Sequence, residues 1–96
     1  MTKKLIEKLK LIKEDSRGKM FRIENFHFIK RYKGTISADH DHDEAEIIYF
    51  LDGKAELTVG KKTTKVRAPV KITIPAKAHH KLVALTDIIL LVLRYN

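Results

Sequence analysis

Residues 34–53 read Gly34-Thr-Ile-Ser-Ala-Asp-His40-Asp-His42-Asp-Glu-Ala-Glu46-Ile-Ile-Tyr-Phe-Leu-Asp-Gly53. Side chains two apart on a strand share a face, so His40 and His42 can present two imidazoles to one point. Glu46 adds a carboxylate if the chain bends before Ile47. Two neutral imidazoles and an oxygen suit a borderline divalent ion such as Fe, Mn, Ni, Zn or Cu. Glu44 has the same strand parity as His40 and His42 and is an alternative oxygen ligand. The apolar run Ile47–Leu51 then ends in Asp52-Gly53, a dipeptide preferred in tight type I′ hairpins.

A second fragment, Pro75-Ala-Lys-Ala-His79-His80, offers a further histidine from another strand. Two ligand groups far apart in sequence are what a metal held between two strands of a barrel requires. Adjacent His79 and His80 cannot both face inward from a regular strand.

Outward from these fragments, strand signals continue in both directions. Met20–Ile23 and Phe26–Tyr32 read as strands broken at Glu24-Asn25. Lys33-Gly34 turns the chain toward Thr35–Ala38. Ala55–Val59 and Thr63–Arg67 flank a turn at Gly60-Lys61. Val70, Ile72 and Ile74 alternate with polar residues, and His80–Leu85 and Ile88–Tyr95 flank Thr86-Asp87. Eight or nine strands of about 5–6 residues with short turns predict an all-β fold, a small antiparallel β-barrel or jelly roll. Before them, Asp15-Ser-Arg-Gly18 is a turn. Thr2 can cap a short N-terminal helix with Leu5, Ile6, Leu9 and Ile12 on one stripe. The competing reading is a strand in which Leu9 and Leu11 alternate. The expectation is one domain over 1–96, with an N-terminal helix or arm at 1–14 and the barrel at 20–95.

At this point the chain resembles the cupin family over roughly Met20 to Tyr95. The family's first motif is Gly, five residues, His-X-His, three or four residues, Glu, six residues, Gly. Gly34, His40, His42, Glu46 and Gly53 fall in that register. The second motif matches at Pro75 and His80 only. Pro69 and Lys77 stand at its two glycine positions and Ala84 at its terminal asparagine. The resemblance implies His40, His42, Glu46 and His80 as metal ligands, and the gap from Pro75 selects His80 over His79, which is left exposed or donating to the ligands from behind. It also implies pairing into a homodimer through an outer sheet.

Other residues bear on the pocket. His27 can point into the barrel or pack. Tyr32, Tyr49, Arg67 and Tyr95 are pocket candidates by chemistry, whereas Arg22, Arg31 and Arg94 are expected to extend to solvent. Ile88–Leu93 is apolar on both faces, so something must cover its outer side: a second sheet, the N-terminal helix or a second subunit.

Composition bounds the rest. Ninety-six residues, 44% hydrophobic and 33% charged, describe one globular domain with a single core. No run of 18 apolar residues spans a membrane, and no secretory signal is evident, so the expected location is cytoplasmic. With no cysteine, thiolate sites and disulfides are excluded. Absent glutamine, two asparagines and abundant charge fit a thermophile. The net charge of +8 is uneven, because Asp39, Asp41, Asp43, Glu44 and Glu46 crowd one segment without Lys or Arg. Those acids favour a dication, while the basic remainder keeps the chain soluble or attracts anions. Three functions are open: a metal-dependent isomerase or dioxygenase-like enzyme on a small oxygenated molecule of the sugar or keto/hydroxy acid type; a non-catalytic small-molecule binding or sensor module with the same metal site; and a basic nucleic-acid-binding barrel, which leaves the histidine pattern unexplained.

Overall fold

The computed structural model describes residues 5–37 and 44–95. Nine strands follow one another among them: β1 (Lys10–Asp15), β2 (Gly18–Ile23), β3 (Phe26–Arg31), β4 (Ala45–Asp52), β5 (Lys54–Val59), β6 (Lys62–Arg67), β7 (Val70–Ile74), β8 (His80–Ala84) and β9 (Ile88–Tyr95). They form a six-stranded antiparallel sheet, ordered β1-β2-β3-β9-β4-β7, and a three-stranded antiparallel sheet, ordered β6-β5-β8.

The alternation read from the sequence decides which face goes inside. Ile48 and Phe50 of β4, Ile72 and Ile74 of β7, and Ile88, Leu90 and Val92 of β9 are buried from the large sheet, and they meet Ala55, Leu82 and Ala84 of the small one. Phe50, Ile74 and Ile88 are fully enclosed. Each such side chain contributes roughly 1.5–3 kcal/mol through removal of apolar area from water. The other face of β9 carries Ile89, Leu91 and Leu93, all half-buried. Leu91 stands in a cross-strand row with Phe28 and Tyr49, and Phe28 meets Phe21 edge-on at 6.1 Å.

The N-terminal helix is not formed: the described residues contain no helix, and Met1–Lys4 lie outside them. Leu5 and Ile6 are 93% and 89% exposed, so a helical stripe there has no apolar surface to dock on, and a short helix draws its stability from such docking. Instead the turn at Asp15–Gly18 folds β1 back onto β2. Asp15 Oδ1 accepts the Arg17 backbone N–H at 2.8 Å, which closes the turn. The strand alternative is the one realised, with a register shift between Leu11 and Lys13.

Asp52-Gly53 is not a hairpin turn either. β4 pairs with β7 and β9, whereas β5 pairs with β6 and β8, so Gly53 is the corner at which the chain leaves one sheet for the other. Its φ is +98°, and a Cβ there would sit 2.4 Å from the Asp87 carbonyl oxygen. The dipeptide supplies positive φ in both settings; only the partners of the following strand distinguish a hairpin from a corner.

Residues 34–37 lie along β8. The Ser37 N–H donates to the Leu82 carbonyl at 2.8 Å, the Ala84 N–H donates to the Thr35 carbonyl at 2.9 Å, and Ile36 bridges to Val83. The chain therefore runs antiparallel to β8, toward its His80 end, before reaching Ala38.

Candidate metal centre

β4 and β8 approach at one end of the barrel, each bringing one of the expected ligands inside. Glu46 and His80 are both 5% exposed, the two polar side chains buried with the core among the described residues. Glu46 points inward because it shares parity with Ile48 and Phe50, and His80 because it shares parity with Leu82 and Ala84. His80 Nε2 stands 3.7 Å from Glu46 Oε1.

The imidazole is oriented by its other nitrogen. His80 Nδ1 is 3.2 Å from the Ala78 carbonyl oxygen. A carbonyl only accepts, so Nδ1 carries the proton and Nε2 presents its lone pair toward Glu46 in the neutral ring, the tautomer a metal ligand needs. Ala78 is held in place by Lys77, whose φ of +66° is left-handed. The glycine expected by the family at that position is thus replaced by a lysine that keeps the turn. Exposed His79 points away, and its carbonyl accepts the Gly60 N–H at 2.8 Å.

Glu46 has a second partner. Arg94, directly opposite it on β9, donates Nε–H to Oε2 at 2.9 Å. Arg94 was expected in solvent and its side chain is 45% exposed, but parity with Val92 puts it at the mouth of the site, where its Nε–H also meets the carboxylate. Arg22 is exposed as expected. Glu44 is exposed ahead of β4, so the buried oxygen donor is Glu46.

These side chains line a cavity of about 240 Å³ between the two sheets, shared by Ser37, Glu46, His80 and Arg94 with an apolar wall of Ile48, Leu82 and Val92. The fit to a divalent ion rests on a buried carboxylate oxygen facing a buried, tautomer-fixed imidazole across this cavity. His40 and His42 lie outside the described residues. Among the described residues no group of three or more metal-ligating side chains comes together. The two residues that bracket the His40–His42 segment, Ser37 and Glu46, both border the cavity.

The aromatic and cationic pocket candidates fall elsewhere. Tyr49 is on the outer sheet face, 6.5 Å from the Phe26 ring and beneath Lys71 Nζ at 6.0 Å. Tyr32 is 39% exposed in the turn after β3. Arg67 borders a separate surface depression with Lys54 and Leu85. Tyr95 pairs through its backbone with Ala45. Arg31 does not extend to solvent: it is half-buried and borders the cavity, as do Met20 and Arg17. Parity with Ile29 marked Arg31 as inward, and the default placement of a cation in water hid it.

His27 is half-buried opposite Val92, on the same face as Ile29. Burial, then the charges of Arg22 and Arg94, hold its pKa below the ordinary 6.5, against an opposing pull from Glu46. A depressed histidine favours the folded state fully above the unfolded value and loses that contribution as pH falls through the folded one. Thermal melts at pH about 7.5 and about 5 are expected to show a smaller acid-side loss of Tm in His27→Gln than in the unaltered chain.

No curated protein matches the chain. Solved structures do. It superposes on a Cupin 2 conserved barrel domain protein from Salinispora arenicola with a TM-score of 0.75 at 19% identity, covering 100% of this chain and 89% of that one. A predicted oxalate decarboxylase from Thermotoga maritima gives 0.76 at 19% identity, covering 91% and 90%. The salicylate 1,2-dioxygenase from Pseudoaminobacter salicylatoxidans gives 0.68 at 19% identity, covering 72% of this chain and 20% of the enzyme. At these identities the likeness shows the fold. The family description "Cupin domain" matches residues 28–93, more than half the chain and the span that holds both sheets' buried strands and the Glu46–His80 pair. The chain belongs to the cupin domain family.

Proposed function

We propose that this protein is a metal-dependent cupin acting on a small oxygenated molecule in the cavity between its sheets. The observation that carries the reading is the buried Glu46–His80 pair, with the His80 tautomer set by the Ala78 carbonyl. His40, His42, Glu46 and His80 would hold the ion. When bound, it would polarise a ligand oxygen as a Lewis acid or, if redox-active, support oxygenation. The chain's own residues do the rest. The Ala78 carbonyl keeps the proton on Nδ1, Arg94 fixes the rotation of the Glu46 carboxylate through Oε2, and the apolar wall thins water around the ligand. A predicted oxalate decarboxylase and a salicylate dioxygenase among the structural neighbours support a similar reading.

Plasma mass spectrometry of metal-supplemented protein tests it. The expected result is near-stoichiometric Fe, Mn, Ni, Zn or Cu, lost in a His42→Ala/His80→Ala double variant. Metal-free protein after reconstitution overturns the reading. Metal binding and ligand binding without turnover in isomerase and dioxygenase assays would assign the same cavity to a sensor.

The outer face of the large sheet, with Phe21, Phe28, Leu91 and Tyr49 in adjoining rows, supports a homodimer. Among the described residues, neither the small sheet nor a helix covers it. Sedimentation equilibrium is expected to return twice the chain mass, and a single-chain mass refutes the pairing.

A further inference from the structure

One cation of the cavity is unexplained by the metal centre. Arg31 ends β3, opposite Gly18 on one side and Ile88 on the other. Arg17 and Asp15, from the β1–β2 turn, act on it electrostatically, and Lys13 borders the same cavity. Asp15 is already committed: it accepts the Arg17 N–H at 2.8 Å and meets the Arg17 guanidinium at 3.3 Å and Lys13 Nζ at 3.7 Å. Arg31 Nε is buried and, among the described residues, has no hydrogen-bond partner. Burial and the Arg17 charge both press on the Arg31 pKa from above, opposed by Asp15. A guanidinium remains charged under such pressure and is costly to leave unpaired.

Asp15 offsets this cost only in part, and Arg31 Nε keeps no hydrogen-bond partner among the described residues. Three cations share one carboxylate at this end, and the wall between them and His80 is apolar, built from Met20, Ile29, Leu57 and Leu90. Arg31 also stands well apart from the metal centre, since its partner Ile88 lies three inward positions along β9 from Arg94 beside Glu46.

We propose that Arg31, backed by Arg17 and Lys13, is the anchor for the carboxylate of a small organic acid whose apolar body lies along Met20, Ile29 and Leu90, and that the ligand of this cupin is therefore an acid rather than a neutral sugar. The proposal rests on the reading of the cavity as a ligand site. A guanidinium fork matches a carboxylate through two parallel N–H donors, and the apolar wall suits a body without hydroxyls. Phosphate would satisfy the same fork, and phenyl phosphate in the titration below separates the two anions.

Calorimetric titration of metal-loaded protein with benzoate, hexanoate, benzamide, hexanol and phenyl phosphate tests it, alongside Arg31→Leu and Arg31→Lys. The two carboxylates are expected to bind at least about tenfold tighter than the amide and the alcohol, and to lose that advantage in Arg31→Leu. Arg31→Lys, which keeps the charge without the fork, is expected to fall between them. Metal content should be unchanged in both variants, and the ligand-free Tm of Arg31→Leu should be equal or higher, because a buried N–H without a hydrogen-bond partner is removed. Equal carboxylate affinity in Arg31→Leu, or a fall in its ligand-free Tm with loss of metal, overturns the anchor. Binding of phenyl phosphate without either carboxylate overturns the carboxylate assignment. Metal-loaded protein that binds no acid refutes this inference and leaves the metal reading intact; acid binding to protein that takes up no metal does the reverse.

Discussion

His80→Ala is expected to weaken metal binding by at least about a hundredfold, while His79→Ala leaves it unchanged. Even residues that merely orient a ligand are worth roughly ten- to a hundredfold in affinity, and His80 would be a ligand itself. The two histidines differ by one position and in little else by sequence. Strand parity puts His80 at 5% exposure against Glu46 and leaves His79 exposed beside Gly60. Competition titration against a chromogenic chelator reads the difference. If His79→Ala also lost the ion, the facing of β8 would be wrong. If His80→Ala kept it, the carboxylate-imidazole pair would be a structural contact. Removing His80 also takes a buried neighbour from Glu46, which explains why a circular-dichroism melt should accompany the titration: an intact melt separates a lost ligand from a lost fold.

Gly53→Ala is expected to destabilise the fold by roughly 2–5 kcal/mol, from two independent causes. The backbone there has a φ of +98°, which costs any side chain about 1–2 kcal/mol. The added Cβ would also meet the Asp87 carbonyl oxygen at 2.4 Å, Thr86 Oγ1 at 2.7 Å and Ile88 Cγ2 at 2.8 Å. Two of those neighbours cannot retreat cheaply. Thr86 Oγ1 accepts the Lys54 N–H at 3.0 Å, and Ile88 is 2% exposed at the base of the core. For a chain of this size each kcal/mol moves Tm by roughly 4–8 °C, so a drop of about 10 °C or more should follow. A melt within about 2 °C of the unaltered chain would mean that the corner yields. Asp52→Ala, one residue earlier and exposed, is the control for a merely local turn effect.

How much of this was legible depends on the range of the signal. Alternation at Val70, Ile72 and Ile74 was legible in β7 alone, because parity is a property of each strand, whereas Ile47–Leu51 and Ile88–Leu93 are apolar on both faces and only their pairing shows which row is inside. Glu46 and His80 were singled out by the family register, since parity with the histidines offered Glu44 equally, and the structure buries both of them. Signals that needed a partner failed. The stripe Leu5, Ile6, Leu9 and Ile12 is helical in period, and only the pairing of β1 with β2 shows that the backbone is better satisfied as a strand. Asp52-Gly53 announces positive φ but not which sheet receives the next residue. Arg31 was assigned to water by the habit of its type, although its parity with Ile29 pointed inward; Arg94 does reach water, but its bond to Glu46 was not foreseen. For Arg94 the capturing carboxylate is 48 residues away in sequence, beyond any local pattern.

The exposed lysines acquire a reason once the sheet edges are known. The large sheet ends at β1 and β7, and the small one ends at β6. Lys10 and Lys13 stand on β1, Lys71 on β7, and Lys62, Lys65 and Arg67 on β6, all exposed. The remaining edge, β8, is overlaid by residues 35–37 through Ile36 and Ser37. An unpaired strand is an invitation to a second copy, and a row of like charges withdraws it. Much of the +8 charge thus acts as a guard against stacking of barrels edge to edge. That guard is a colloidal property, and it would fade as salt screens the lysines.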